Sequence, residues 1–391
     1  MYNLLTITDR NTFAGLSVLV LITFSSLIPS IIAFDGHALT PLQSATTWEI
    51  VEHSYFHDDT NFRDIAFVNS THGWVVGQNQ TGLYGGIILH TKDGGNSWNL
   101  QHYNYSQRFR TISIIDHQTL WVSGARGLVY TTDGGLTWNW TQIVDINAGL
   151  GAVQFVNATH GWTSTLNEIF ETVDGGQTWQ NITSWNYEDS LRMIQFVSPS
   201  EAWGIGFSGI YHTADTCATW ERKHSQGGWA LTIVSESEGW AVADDLLLHM
   251  TDGETWVEQP QPRKTHSPLF PTPYFTDILF LDEAHGWIVG LEMPVAFTPN
   301  GGLSWYAQSV PETMDRRMNA IDFVNLTHGC AVGSGGYILL TSHGSDLGSL
   351  LLTEGTYTNF FSIGTILLVL LGGVILWYRH RRNIHDAPLP E

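Results

Sequence analysis

The chain has 391 residues and sets 37 Asp and Glu against 16 Lys and Arg, a formal charge of −21. Only three of the cations are lysines. Binding to nucleic acid needs a cationic footprint, so that partner class is excluded, and the balance suits an acidic extracytoplasmic surface.

In chain order, the apolar run from Leu16 to Ala33 follows Arg10 and precedes a polar stretch. That order is expected of a secretory signal or an uncleaved signal anchor, assigned to residues 1–34. Next comes Ala45-Thr46-Thr47-Trp48-Glu49-Ile50-Val51, which matches Ala218-Thr219-Trp220-Glu221 but has no turn motif of its own.

A repeat then begins. Its first unit reads Ile65-Ala66-Phe67-Val68-Asn69, then Ser70-Thr71-His72-Gly73-Trp74-Val75-Val76-Gly77. It ends with Ile87-Ile88-Leu89-His90-Thr91-Lys92-Asp93-Gly94-Gly95-Asn96-Ser97-Trp98. The first Trp returns at Trp121, Trp162, Trp203, Trp240 and Trp287, with Cys330 at the last turn of the pattern. The Asp-Gly-Gly box returns around Asp133, Asp174, Asp215, Asp252 and, degenerate, Asn300, closed by Trp138, Trp179, Trp220, Trp256 and Trp305. A period of roughly 40 residues holding four short strands is that of a propeller blade, whose sheet packs only on its neighbours. Each blade is expected to run inner strand A, an A–B turn, strand B, a variable loop, strand C, the box as C–D turn, and outer strand D. In the box, Asp bonds its own backbone and Gly accepts positive φ, so these acids are expected to be staples.

The seventh unit, Ile321 to Thr341, decays into Ser342-His343-Gly344-Ser345 without a Trp, so its outer strand is missing. The N-terminal segment around Trp48 is expected to supply it and to close the ring, removing exposed edges. The fold class is therefore all-β, a seven-bladed propeller of four-stranded blades over residues 46–345. A linker (346–359), an apolar segment (360–378) and a basic tail (379–391) follow. The 19 apolar residues reach about 28 Å as a helix, enough to cross a hydrocarbon core of about 30 Å. Arg379-His380-Arg381-Arg382 then puts the C-terminus in the cytoplasm and the propeller outside. The expected location is the cell membrane, single-pass, with a monomeric ring.

Seven Asn-x-Ser/Thr acceptors, Asn69, Asn79, Asn104, Asn139, Asn157, Asn181 and Asn325, agree with export and N-glycosylation. Asn69, Asn157 and Asn325 share one A–B turn position, where they serve equally as turn formers. Cys217 and Cys330 lie three blades apart and are expected to be free thiols. His72, His160, His285 and His328 recur at one turn position, which spreads them round the ring and argues against a shared metal. The box aspartates are dispersed in the same way and cannot converge as an acid/base pair. No metal or cofactor is implied.

The arginines break the symmetry. Arg63, Arg110 and Arg192 lie four residues before the strand A aromatic position in three blades, and Arg317 lies six before it in the last. There the D–A loop enters the inner strand, at the top rim of the central channel. With Arg126 on a B–C loop, they form either a patch for an acidic side chain or a C-terminal carboxylate, or structural pairs with acids such as Asp64. The other blades carry Gly151, Trp229, Thr276 and Asn319 at this position. The top loops are aromatic, with Tyr103, Tyr105, Trp185, Tyr187 and Trp229, a composition enriched at protein interfaces. The longest, from Gln259 to Tyr274, holds Pro260, Pro262, Pro268, Pro271 and Pro273 with Arg263 and Lys264.

The paired motif Phe-Val-Asn-x-Thr-His-Gly-Trp-x-Val-Gly and Thr-x-Asp-Gly-Gly-x-Thr-Trp resembles the photosystem II assembly and stability factor family of the thylakoid lumen, over roughly residues 46–345. The resemblance implies a seven-bladed propeller without enzymatic activity that binds a new reaction-centre polypeptide through an arginine patch, carried here by Arg63, Arg110 and Arg192. A protein or peptide partner and service to the assembly of a membrane complex are therefore expected. Sialidases share Asp boxes and supply the alternative, a sialidase-like glycoside hydrolase or glycan-binding propeller. Phe62-Arg63-Asp64-Ile65 matches their start motif only faintly, and no nucleophile pair can be named.

Overall fold

The computed structural model describes residues 47–53, 59–79, 85–143, 149–165, 168–184, 191–243, 246–262, 274–291, 294–311, 317–347 and 349–351. Seven antiparallel sheets follow one another along the chain. Blade one consists of Thr60–Phe67, Gly73–Asn79, Gly85–Thr91 and Asn99–Asn104, and each later blade repeats that A-B-C-D order. The inner strands of the seven blades begin at Thr60, Phe109, Val153, Leu191, Ala230, Tyr274 and Met318.

Closure is as the orphan segment implied. Glu49–Ile50 pairs antiparallel with Ile338–Thr341 as the outer strand of blade seven. Trp48 is fully buried, meets Phe323 edge-on at 5.7 Å, and donates from Nε1 to Gln308 Oε1. Thr341 Oγ1 donates to the Thr47 carbonyl, so the two ends of the ring are joined by side chain as well as ladder.

One strand was not expected. Ser349–Leu351, inside the stretch read as linker, pairs with Trp305–Ala307 and gives blade six a fifth strand. Ahead of it the Gly344 carbonyl accepts from Trp287 Nε1 and Gln308 Nε2, and the Asp346 carbonyl also accepts from Gln308 Nε2. Sequence offers no signal for this, because three residues without a turn motif carry no period. The signal segment 1–34, the apolar segment 360–378 and the tail 379–391 lie outside the described residues, and no described helix is long and apolar enough to cross a membrane.

The repeat is explained by what touches across each seam. The strand B indole stacks on the strand A aromatic of the next blade: Trp121 on Phe155 at 5.0 Å, Trp162 on Phe196 at 3.6 Å, Trp240 on Phe280 at 4.9 Å, Trp287 on Phe323 at 3.9 Å. In blades three and six the second box Gly lies over the indole of the preceding blade. A Cβ on Gly176 would meet Trp121 at 2.3 Å, and one on Gly302 would meet Trp240 at 2.4 Å. The Trp of one blade and the Gly of the next are thus one packing unit, which is why both recur.

The boxes are staples, as expected. In blade one Asp93 Oδ1 accepts from Thr91 Oγ1 and Ser97 N, and Oδ2 accepts from Ser97 Oγ. These bonds hold the Asp93 carboxyl below its usual value against the opposing effect of burial, and Asp133 and Asp174 fall to about 2 through the matching Thr137 and Thr178 bonds. Blade four departs from the rule: Thr216 and Cys217 replace Gly-Gly and sit at φ 60° and 64°. Both cysteines are free and buried.

Candidate functional site

The inner strands line a central cavity of about 960 Å³. Arg63, Arg110, Arg192 and Arg317 all reach it, although they come from blades one, two, four and seven. The equivalent residues of the other three blades, Gly151, Trp229 and Thr276, and Asn319 beside Arg317, line the same space. Four positions scattered over more than 250 residues of sequence become one cationic mouth because each stands near the start of an inner strand.

Two corrections apply. Arg126 does not line the cavity: in the tight turn between Gly124 and Gly127, Ala125 faces the space and Arg126 is exposed, its N–H held by Gln107 Oε1. Arg108, which the sequence reading passed over, does line it. The signal was available, since Arg108 and Arg110 alternate around Phe109 and residues two apart share a strand face.

The Asp64 pairing that rivalled the patch is not formed. Asp64 Oδ1 accepts from its neighbour Ile65 N, and Oδ2 from Ile112 N of blade two. Among the described residues no carboxylate pairs with Arg63, Arg110 or Arg317. Arg110 Nη1 donates to the Leu150 carbonyl at 3.3 Å, which uses one of five N–H donors, and Arg317 Nε is buried without a partner among the described residues. Burial, then the charges of Arg317 and Arg110, hold Arg63 below the ordinary arginine value. Burial and then Arg108 do the same to Arg110.

Aromatic rings fix two of these cations. The Arg192 guanidinium lies 3.6 Å from the ring centroids of both Phe207 and Trp229. Arg317 lies 5.0 Å from Trp229 and 5.2 Å from Tyr274. Rings covering the planar faces direct the N–H edges sideways, the geometry for bidentate capture of a carboxylate. Of the other loop aromatics, Tyr103 packs on the blade one core and edge-on to exposed Tyr105 at 4.7 Å, and neither lines the cavity. Trp185, Tyr187 and residues 263–273 of the proline-rich loop lie outside the described residues.

Deeper in the channel lies a second set that the sequence reading missed. Asp64, Asp277 and Asp322 line the cavity, and each bridges to the next inner strand: Asp64 to Ile112 N at 2.8 Å, Asp277 to Ile321 N at 2.9 Å, Asp322 to Phe67 N at 2.7 Å. Ser113, Gln154 and Gln195 latch three other seams in the same way, onto Phe155 N, Phe196 N and Ile233 N. Burial pushes the three carboxyls up to about 7 for Asp64, about 8 for Asp277 and about 6 for Asp322, against the lowering by their backbone bonds. The signal was an acid directly before an apolar residue within three inner strands, Asp64 before Ile65, Asp277 before Ile278 and Asp322 before Phe323.

The turn histidines are spread as expected. His160 Nε2 bonds Glu171 at 2.7 Å, His285 bonds Asp282 at 2.9 Å, and His328 Nε2 reaches the Gly94 carbonyl of the next blade's box. No group of described residues could hold a metal ion. Asn69, Asn157 and Asn325 each accept from the N–H groups two and three residues on, so the turn-forming role is real. Asn104 Oδ1 accepts from Ser106, Asn181 Nδ2 donates to Glu168, and Asn139 is exposed on a D strand. Asn79 is set apart from them by being buried.

Residues 40–145 and 139–227 match the family model described as photosynthesis system II assembly factor YCF48. The photosystem II assembly lipoprotein Ycf48 of Prochlorococcus marinus is 38% identical over 76 residues, 19% of this chain and 20% of that protein. The chloroplastic photosystem II stability/assembly factor HCF136 of Oryza sativa subsp. japonica is 31% identical over 85 residues, 20% of each. The chain thus covers a fifth of the length of these relatives. A solved structure described as YCF48 bound to D1 peptide superposes with a TM-score of 0.60 at 20% identity, over 80% of this chain and 99% of that one, a likeness of fold.

Proposed function

We propose, on the premise that this chain is a photosystem II assembly and stability factor-like Asp-box propeller, that it is a non-catalytic protein that binds a peptide segment at its channel mouth. The observation that carries this is the convergence of Arg63, Arg110, Arg192 and Arg317, with Arg108, in one cavity of a protein whose formal charge is −21. Among the described residues no carboxylate pairs with Arg63, Arg110 or Arg317, so a ligand that brings one supplies a partner. The ligand class is a peptide ending in, or containing, Asp, Glu or a free C-terminal carboxylate. The bound D1 peptide in the solved YCF48 structure supports a peptide occupant. A cavity of about 960 Å³ suits the end of a chain better than a folded domain.

The non-catalytic reading is supported by how the channel acids are used. Asp64, Asp277 and Asp322 have the raised values expected of a general acid, yet each has both oxygens bound by backbone N–H groups of two blades. Seam latches of that kind do not approach a glycosidic oxygen without opening the ring. The apolar runs in 1–34 and 360–378 support an extracytoplasmic propeller on a single-pass anchor with a cytoplasmic tail, and the acceptor asparagines support export. The role that follows is assembly or stabilisation of a membrane protein complex.

The test is titration of the purified protein with an acidic C-terminal peptide and with its C-terminal amide, read by tryptophan fluorescence, since Trp229 stacks on Arg192. Saturable binding that the amide weakens and that Arg63→Glu with Arg110→Glu and Arg192→Glu abolishes is expected. Equal binding by wild type and the triple variant overturns the proposal.

A further inference from the structure

We infer that Phe207 is an apolar subsite of the mouth, so that the peptide taken there carries an apolar side chain close to its carboxylate. The inference rests on the peptide-binding reading above and adds to it the second half of the ligand.

The subsite is a departure from the repeat. Three B–C connections share one form: Gly124-Ala125-Arg126-Gly127 in blade two, Gly206-Phe207-Ser208-Gly209 in blade four and Gly333-Ser334-Gly335-Gly336 in blade seven. In blade two the first central residue, Ala125, lines the cavity, and at the same place in blade four Phe207 lines it. The turn is held firmly. Gly206 N donates to the Gly209 carbonyl, and Gly228 N, from the connection into blade five, donates to the Gly206 carbonyl. That connection runs so close that a Cβ on Gly227 would meet the Phe207 carbonyl oxygen at 2.0 Å. Beside the turn the inner strand bulges: Leu191 pairs with Gly206 and Met193 with Ile205, which leaves Arg192 as the extra residue. A bulge re-aims a side chain, and this one sets the Arg192 guanidinium 3.6 Å from the Phe207 ring centroid.

Even with the guanidinium over it, Phe207 is 60% exposed. Water against that much aromatic surface is unfavourable, and an apolar group that covers it is stabilised by the burial. A cationic group is disfavoured there, because Arg192 already places a positive charge on the ring. The position complements the rest of the mouth. Arg63 feels the charges of Arg317 and Arg110, and Arg110 feels that of Arg108, so these cations form one arc over blades seven, one and two. In a ring of seven, blade four stands opposite the seam between blades seven and one. A chain that leaves its carboxylate on the arc and runs across the channel meets Phe207. Such a pairing of an apolar wall with a few fixed polar groups is the usual make-up of a ligand pocket.

Calorimetric titration of the full-length protein with short acidic peptides tests this. All have a free C-terminal carboxylate, and they differ in carrying Leu or Gly at one of the residues nearest to it. Covering about half of a Leu side chain should tighten binding about fivefold over the Gly peptide at one such position or more. Phe207→Ala, which copies the turn of blade two, should erase that preference, and Phe207→Leu should restore it. Equal affinities for the Leu and Gly peptides in the wild type overturn the subsite and spare the peptide-binding reading. A preference that survives Phe207→Ala, even with both affinities lowered, means that the ring only holds Arg192, and it overturns the subsite as well. A wild-type protein that binds none of the peptides overturns the peptide-binding reading and this inference with it.

Discussion

The two ends of the ring are built on opposite terms. At the box end blades one to four repeat the same side-chain bonds, Thr91 to Asp93, Ser97 to Asp93 and their equivalents on Asp133, Asp174 and Asp215, and the backbone bond from Gly94 N to the Thr71 carbonyl recurs in every blade. At the mouth end guanidinium groups from different blades crowd together, and Arg317 Nε is left without a partner among the described residues. A repeat conserves what a blade needs from its neighbours. What departs from the repeat, being free of that duty, is where positive charge is gathered for a ligand.

The largest expected effect separates the two kinds of residue. Trp162, fully buried and stacked on Phe196 across a seam, should cost about 3–5 kcal/mol as Trp162→Ala in urea unfolding. Leu136→Ala at an exposed box position should stay within about 0.5 kcal/mol. A small effect for Trp162→Ala breaks the claim that the seams carry the fold. At the mouth, reversing Arg63, Arg110 and Arg192 together should weaken an acidic peptide at least about a hundredfold while leaving the urea midpoint nearly unchanged. A fall in both would mean that the arginines are structural, and the comparison between the ends would collapse.

Titration sharpens it further. Burial raises the channel carboxyls to about 7, 8 and 6, so the folded ring holds protons that the unfolded chain releases, and stability should fall as pH rises from about 4 through 8. The box carboxyls are lowered, to about 2 at Asp133 and Asp174, and their contribution is lost as pH falls from about 4 toward 2. The urea midpoint should therefore peak near about pH 4. Asp277→Asn should flatten the alkaline limb and leave the acid limb intact. The smallest effect concerns the irregular box of blade four. Thr216 at φ 60° is a β-branched residue in left-handed backbone, and Thr216→Gly should raise stability by about 1 kcal/mol.

The legible parts of this protein were those enforced by period. Seven units, a strand order within each, the staple role of Asp93 and its equivalents, and closure by the segment around Trp48 could all be read, because a blade must bury both faces against copies of itself and can do so only with the same residues at the same places. Arg63, Arg110 and Arg192 could be aligned for the same reason. Arg126 misled because a two-residue turn decides which of Ala125 and Arg126 faces the channel, and neighbouring positions in a chain do not announce their facing. Arg108 and the latching Asp64, Asp277 and Asp322 were written in or beside the inner strands but carry meaning only once those strands stand side by side.

The sequence by itself determined the number of blades, their internal order and the position at which each side chain enters the ring, since these follow from local pattern and from burial at short range. The tertiary structure alone decided which of those positions meet. Contacts across the seam between blades seven and one join residues more than 250 apart, such as Asp322 with Phe67 N and Asn319 with Asn61, and no local propensity encodes a separation of that length. It also decided that Ser349–Leu351 returns to blade six, because an edge strand is recruited by the unpaired backbone of its neighbour, whatever its own side chains.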